Sequence, residues 1–136
     1  VVAAAILHDV VEDCGVKVEN LPVSADTKDA VRRLTHIKGE PLGPYYREIG
    51  ESRVASLVKL LDRCDNVSTM AGVFSTEKVA QYIDETRQYV LPLLRETKDK
   101  WPNDSNALFV LKYHIMSVID GLEVCLEVRN EVGANA

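Results

Sequence analysis

The stretch AAILHDVVEDCG, residues Ala4 to Gly15, decides the reading of the chain. A His-Asp pair follows an apolar run, and Glu12 and Asp13 come three and four residues after Asp9. On a helix, His8 and Glu12 stand at i,i+4, and so do Asp9 and Asp13. One helix end therefore crowds an imidazole and three carboxylates into one patch. Carboxylates that close repel, so some must be protonated or share a cation. A divalent metal would neutralise them, and His with Asp is a workable ligand pair. An acidic, solvated helix end with a His beside it is the plainer alternative, and spacing alone leaves both open.

A second stretch, VKLLDRCDNVSTM over Val58–Met70, bears on that choice. Lys59, Asp62, Asn66 and Thr69 fall on one helical stripe. Leu57, Leu60, Leu61 and Cys64 supply apolar surface around it. A polar stripe among apolar neighbours points Asp62 into a cleft, where an unpaired charge would be costly. Only the fold can bring Asp62 to Asp9, 53 positions away.

LHDVVED followed by KLLDRCDN resembles the HD superfamily of metal-dependent phosphohydrolases. Within it, the pattern LHDxxED and then KLxDRxxNxxT is similar to the hydrolase domain of the RelA/SpoT proteins, which remove pyrophosphate from ppGpp and pppGpp. The resemblance spans roughly residues 1–89. It implies an HD-domain helical bundle, with His8, Asp9 and Asp62 as metal ligands and manganese as the usual metal. It implies that Glu12 and Asp13 handle water and protons at the scissile phosphate, and that Asn66 and Thr69 help hold the nucleotide. The family pattern also has a His ligand and base-gripping basic residues upstream of the HD pair. Only seven residues precede His8 here, and the chain opens on Val1, so the reading expects N-terminal helices beyond this sequence. Cys14 and Asp65 stand where that branch more often has Thr and His.

The expected mechanism is hydrolysis of a nucleotide phosphate or pyrophosphate, with (p)ppGpp among the candidates, by metal-activated water. Glu12 or Asp13 would relay protons, and Lys59 or Arg63 would steady the developing phosphate charge. For Arg63, pairing with a neighbouring carboxylate is the favoured role. Two other readings stand beside it: an HD phosphohydrolase of simple nucleoside phosphates, and a degenerate HD domain that binds a nucleotide or protein partner without catalysis.

Composition sets the bounds. The chain has 136 residues, 46% hydrophobic and 27% charged, which fits one ordinary globular domain. Net charge is −5, and no basic run offers phosphate contacts, which argues against nonspecific nucleic-acid binding. No apolar run approaches the roughly 18–20 residues of a membrane span. Cys14, Cys64 and Cys125 are far apart, without a CxxC, and read as free thiols in a reducing cytoplasm. No Gly-rich phosphate loop is present, which argues against that class of NTPase.

The pattern predicts an all-α bundle of about six helices, with no alternating β-branched runs. The first helix ends at Gly15, and residues 16–23 form a loop. Ser24 or Asp26 caps a second helix running to about His36, with Ala30, Val31, Leu34 and Ile37 buried. KGEPLGP over 38–44 breaks the chain before a short helix at Tyr45–Ile49. Tyr45 and Tyr46 are read mainly as packing, and His36 mainly as a helix-end residue. Ser52 opens the helix of Asp62, with Val54, Leu57, Val58 and Leu61 as its apolar face, ending at Gly72. Ser75 caps a helix from Thr76 to about Lys98, kinked near Gln88 by Pro92. Asn103 or Asp104 caps the last helix, to about Asn130, with residues 133–136 frayed. Residues 1–98 form the HD core. The helix over 104–130 packs on it or in a homodimer contact, because its apolar residues cover more than one narrow stripe. His114 on that helix is read as packing.

Overall fold

A computed structural model describes residues 1–135. Three of its helices begin where a serine side chain satisfies one of the first free amides. Ser24 accepts the Thr27 N–H at 3.2 Å and opens α2 (Ala25–Leu34). Ser52 accepts the Ala55 N–H at 3.2 Å and opens α4 (Arg53–Thr69). Ser75 accepts the Lys78 N–H at 3.3 Å and opens α5 (Thr76–Glu85). The first helix, α1 (Val2–Cys14), ends at Gly15 in the left-handed region, φ 66°, where glycine carries no Cβ penalty. α3 (Leu42–Gly50) precedes α4; α6 (Leu91–Lys100) and α7 (Ser105–Ala134) close the chain.

Between α5 and α6 lies one π turn, Thr86–Val90, so residues 76–100 form one continuous helix with a widened turn. Pro92 has no N–H for the carbonyl four residues back, and the turn adjusts immediately before it. This is the distortion the sequence places near Gln88. Counted this way the bundle has six helices and, among the described residues, no strand.

α4 is the hub, touching α1, α2, α3, α6 and α7. One core joins α1 to α4, α6 and Leu108, built on Ala4, Val31, Ile49, Val58, Leu60 and Leu94. The other joins the C-terminal half of α4 to α5 and α7, through Val67, Met70, Ile83, Ile115 and Ile119. No helix of the described residues is long and apolar enough to cross a membrane.

Several expected boundaries move, each for a local reason. α2 stops at Leu34 rather than His36, and Ile37 is 70% exposed. Thr35 turns to an extended conformation, its hydroxyl donates to the Val31 carbonyl, and the next amide goes to Glu12 instead of the helix. α3 starts at Leu42, earlier than Tyr45, because Pro44 falls in the first turn, where a missing N–H breaks no bond. α4 ends at Thr69, before Gly72, where the hydroxyls of Ser68 and Thr69 take the carbonyls of Cys64 and Asp65. Leu61, expected on the apolar face of α4, is 46% exposed. On α4 the inward positions are Leu60 and Arg63 instead. α7 runs to Ala134, past the fraying expected from residue 133, and Ala136 lies outside the described residues. Asp104 stands at its start, but its carboxylate accepts two hydrogen bonds from Arg53, at 2.7 and 2.8 Å, and caps nothing.

Candidate functional site

Where α1 crosses α4 the bundle opens a polar cleft of about 310 Å³. Its acidic wall carries His8, Asp9, Glu12 and Asp13 from α1 and Asp62 from α4. Its lining also includes Lys59, Arg63 and Asn66 from α4, Tyr45 from α3 and Tyr82 from α5.

The fold brings the two distant motifs together. His8 Nε2 lies 3.2 Å from an Asp9 oxygen and 3.6 Å from an Asp62 oxygen. The other ring nitrogen, Nδ1, is 2.8 Å from the Ala5 carbonyl one turn back, which fixes the ring and turns Nε2 toward the carboxylates. Nε2 is buried and has no aligned hydrogen-bond partner. Pairing with Asp62 raises the imidazole to about 9 against the opposition of burial, and the Ala5 carbonyl and the charge of Asp9 add to the rise. For Asp62, burial pushes the carboxyl up, but His8 and the charges of Lys59 and Arg63 prevail and hold it below its ordinary value. Asn66 donates to the second Asp62 oxygen at 3.2 Å and fixes the carboxylate one turn along the same helix.

Among the described residues no group of three or more His, Cys, Asp or Glu side chains forms a ready-made metal cage. The donor set nevertheless suits a divalent cation: a buried imidazole nitrogen faces two carboxylates, one from its own helix and one from α4. Glu12 has a second occupation, since Oε1 accepts the His36 N–H at 2.6 Å and ties the end of α2 to α1. Asp13 lines the cleft and is exposed.

Within the cleft, the Lys59 ammonium lies over the rings of Tyr45 and Tyr46, 5.3 and 5.6 Å from their centroids. Burial lowers its pKa, Arg63 adds to the lowering, and Asp62, Glu85 and Glu12 oppose it through space. Arg63 is only 3% exposed. Its Nη2 donates to Glu85 at 2.6 Å and to the Tyr46 hydroxyl at 3.3 Å, and Tyr46 donates to the same Glu85 oxygen. Burial and the Glu85 charge raise the Tyr46 phenol well above its ordinary range, with Arg63 opposing, so it stays a donor.

Thr69 does not line the cleft; its hydroxyl donates to the Asp65 carbonyl at 3.0 Å. His36 lies outside as well, bonded through Nε2 to the Glu40 carbonyl and edge-on to Tyr45. His114 pairs with Ser68 at 2.8 Å, far along α4 from the acidic wall. Cys64 is a half-buried free thiol whose pKa burial raises, as expected of a structural rather than a nucleophilic cysteine. The sequence reading missed Tyr82, which comes from a third helix and carries no motif; its ring stacks on the Arg63 guanidinium at 4.4 Å. No protein-family model matches the chain, and no curated protein matches it.

Proposed function

We propose that this chain is an HD-type, metal-dependent phosphohydrolase acting on the phosphate or pyrophosphate of a nucleotide, with (p)ppGpp among the candidate substrates. The observation that carries the reading is the position of His8 Nε2, buried and ion-paired between a carboxylate of its own helix and one brought from α4. His8, Asp9 and Asp62 would hold the cation, manganese in the family this chain resembles. When bound, a cation of this kind lowers the pKa of a water toward neutrality.

The chain's own groups do the rest. Asn66 keeps Asp62 oriented, and the Ala5 carbonyl keeps His8 oriented. Asp13 and the free oxygen of Glu12 take and return protons at the scissile phosphate. Lys59 and Asn66 line the cleft beside Asp62 and serve as substrate contacts, whereas Thr69 stands outside it, at the end of α4.

The absence of a ready-made cage among the described residues favours a second reading, in which the cleft binds a nucleotide without turnover. Release of phosphate or pyrophosphate from ppGpp and from ordinary nucleotides, with and without manganese, separates the two. The hydrolase reading expects manganese-dependent release that Asp62→Asn reduces at least a hundredfold. Unchanged release by a folded Asp62→Asn protein sinks it.

A further inference from the structure

Ile115, Ile119 and Leu122 of α7 are buried in the core shared with α4 and α5. On a helix of 3.6 residues per turn, Val110, Tyr113, Ser117, Gly121, Val124 and Val128 fall within about 80° of arc on the opposite side. All six are exposed, the three valines and the tyrosine by 52–66%. Between residues 110 and 128 no charged residue falls in that arc. A continuous apolar strip of this kind on a surface marks an interaction site. We infer that α7 pairs through it, antiparallel, with α7 of a second copy of this chain, so that the helix packs on the bundle by one side and in a homodimer contact by the other. The inference goes beyond the phosphohydrolase reading and does not depend on it.

Two observations name a second copy as the occupant. The first is that the strip is complementary to itself, as a two-fold contact requires. Val110 and Val128 are equidistant from residue 119, and so are Ser117 and Gly121. An antiparallel copy crossing level with residue 119 therefore sets Val110 on the partner's Val128 and Ser117 on the partner's Gly121. Tyr113 comes level with the partner's Val124. Small residues stand at the crossing, where two backbones come closest, and larger apolar ones at either end. Gly121 fits that position: a Cβ built on it meets nothing within 4 Å in its own chain. Glycine inside a helix is unfavourable relative to alanine, and a close backbone approach is what its missing side chain permits.

The second is charge. Residues 105–118 carry Lys112 and no carboxylate, and Lys98 of α6 stands at the same end, its ammonium 5.9 Å from the Phe109 ring centroid. Residues 119–134 carry Asp120, Glu123, Glu127 and Glu131 against Arg129. Arg87 holds Asp120 and Glu123, and Glu127 and Glu131 stand exposed beyond them. An antiparallel copy lays each basic end along the partner's acidic end, whereas a parallel copy would set like charge against like. The aromatic pair Phe109 and Tyr113 also borders a hollow of about 600 Å³ beside the strip, at the level of the partner's Val124 and Val128.

Sedimentation equilibrium of the full chain at micromolar concentrations tests this, with twice the chain's 15.1 kDa as the expected mass. Val124→Glu should weaken self-association at least tenfold, and because Val124 is exposed in the single chain, circular dichroism should find the fold unchanged. At low salt Lys112→Glu should weaken it several-fold, and adding Glu127→Lys to the same chain should restore it. A monomer at every concentration overturns the inference and leaves the strip to a different partner. A dimer that folded Val124→Glu leaves intact overturns it as well, since the contact then lies elsewhere. A dimer sensitive to Val124→Glu but not rescued by the double charge exchange overturns the antiparallel pairing.

Discussion

His8 couples a proton to the fold, and on the proposed reading a metal would compete for the same position. The Asp62 pairing raises its pKa to about 9, from an ordinary value near 6.5. A raised histidine pKa stabilises the fold fully below about 6.5, and that contribution is lost as pH climbs through about 9. In the metal-free protein at pH 7 a proton therefore occupies the position a cation needs. Manganese binding should release close to one proton per site at pH 7, fewer as pH nears 9, and affinity should rise across that window. Calorimetry in buffers of different ionisation enthalpy measures the proton count; no release at pH 7 would contradict the assignment of His8 as ligand. Arg63 supplies the complementary case. Glu85→Gln removes the counter-charge of a buried cation, and because Glu85 is itself partly exposed the loss should be about 2 kcal/mol, below the roughly 3–5 of a fully buried pair. Urea unfolding should find Arg63→Met with Glu85→Gln less destabilised than the sum of the single changes.

At the scale of the helix, the two motif-bearing segments were legible because each compresses its chemistry into a few turns. LHDVVED and KLLDRCDN place their polar residues at helical spacing, and the cleft uses nearly all of them. Capping serines and the effect of Pro92 were equally readable, since they act within four residues. What escaped is set by contacts across the bundle. Leu61 and Leu60 are equivalent in hydropathy, and only the packing around α4 decides which faces in. Tyr82 joins the cleft because α5 lies beside Arg63, and no local pattern announces that. The diversion of Glu12 to the His36 amide depends on where α2 happens to end. Ser52 gives this scale its prediction. It caps the helix that presents Lys59, Asp62, Arg63 and Asn66, so Ser52→Ala should lower stability by about 1 kcal/mol. The cleft lies two turns or more beyond the cap, so ligand affinity should hold within about twofold. Chemical denaturation beside pyrophosphate titration checks both, and a large loss of affinity with little loss of stability would show that the cap orients the site directly.

For the whole molecule, the cleft is also a seam. α1 is joined to the bundle through α2 and α4; Ala4, Leu7 and Val11 join the apolar core, and the imidazole and carboxylates lie beside that core where α1 meets α4. Asp9, Asp62, Glu12 and Asp13 repel one another there, with protonated His8 as the local counter-charge. A divalent cation held by groups from both helices would cross-link residues 53 positions apart in sequence and replace that repulsion with attraction. A ligand that binds only the folded state stabilises it by RT ln(1 + [L]/Kd), about 2.7 kcal/mol at a hundred times Kd. For a domain of this size that corresponds to a rise in Tm of about 10 °C. Thermal unfolding followed by circular dichroism should show that rise with saturating manganese, its reversal by EDTA, and its loss in Asp62→Asn. A manganese-dependent rise that survived in Asp62→Asn would place the cation elsewhere and leave the α1–α4 seam held by its apolar neighbours alone.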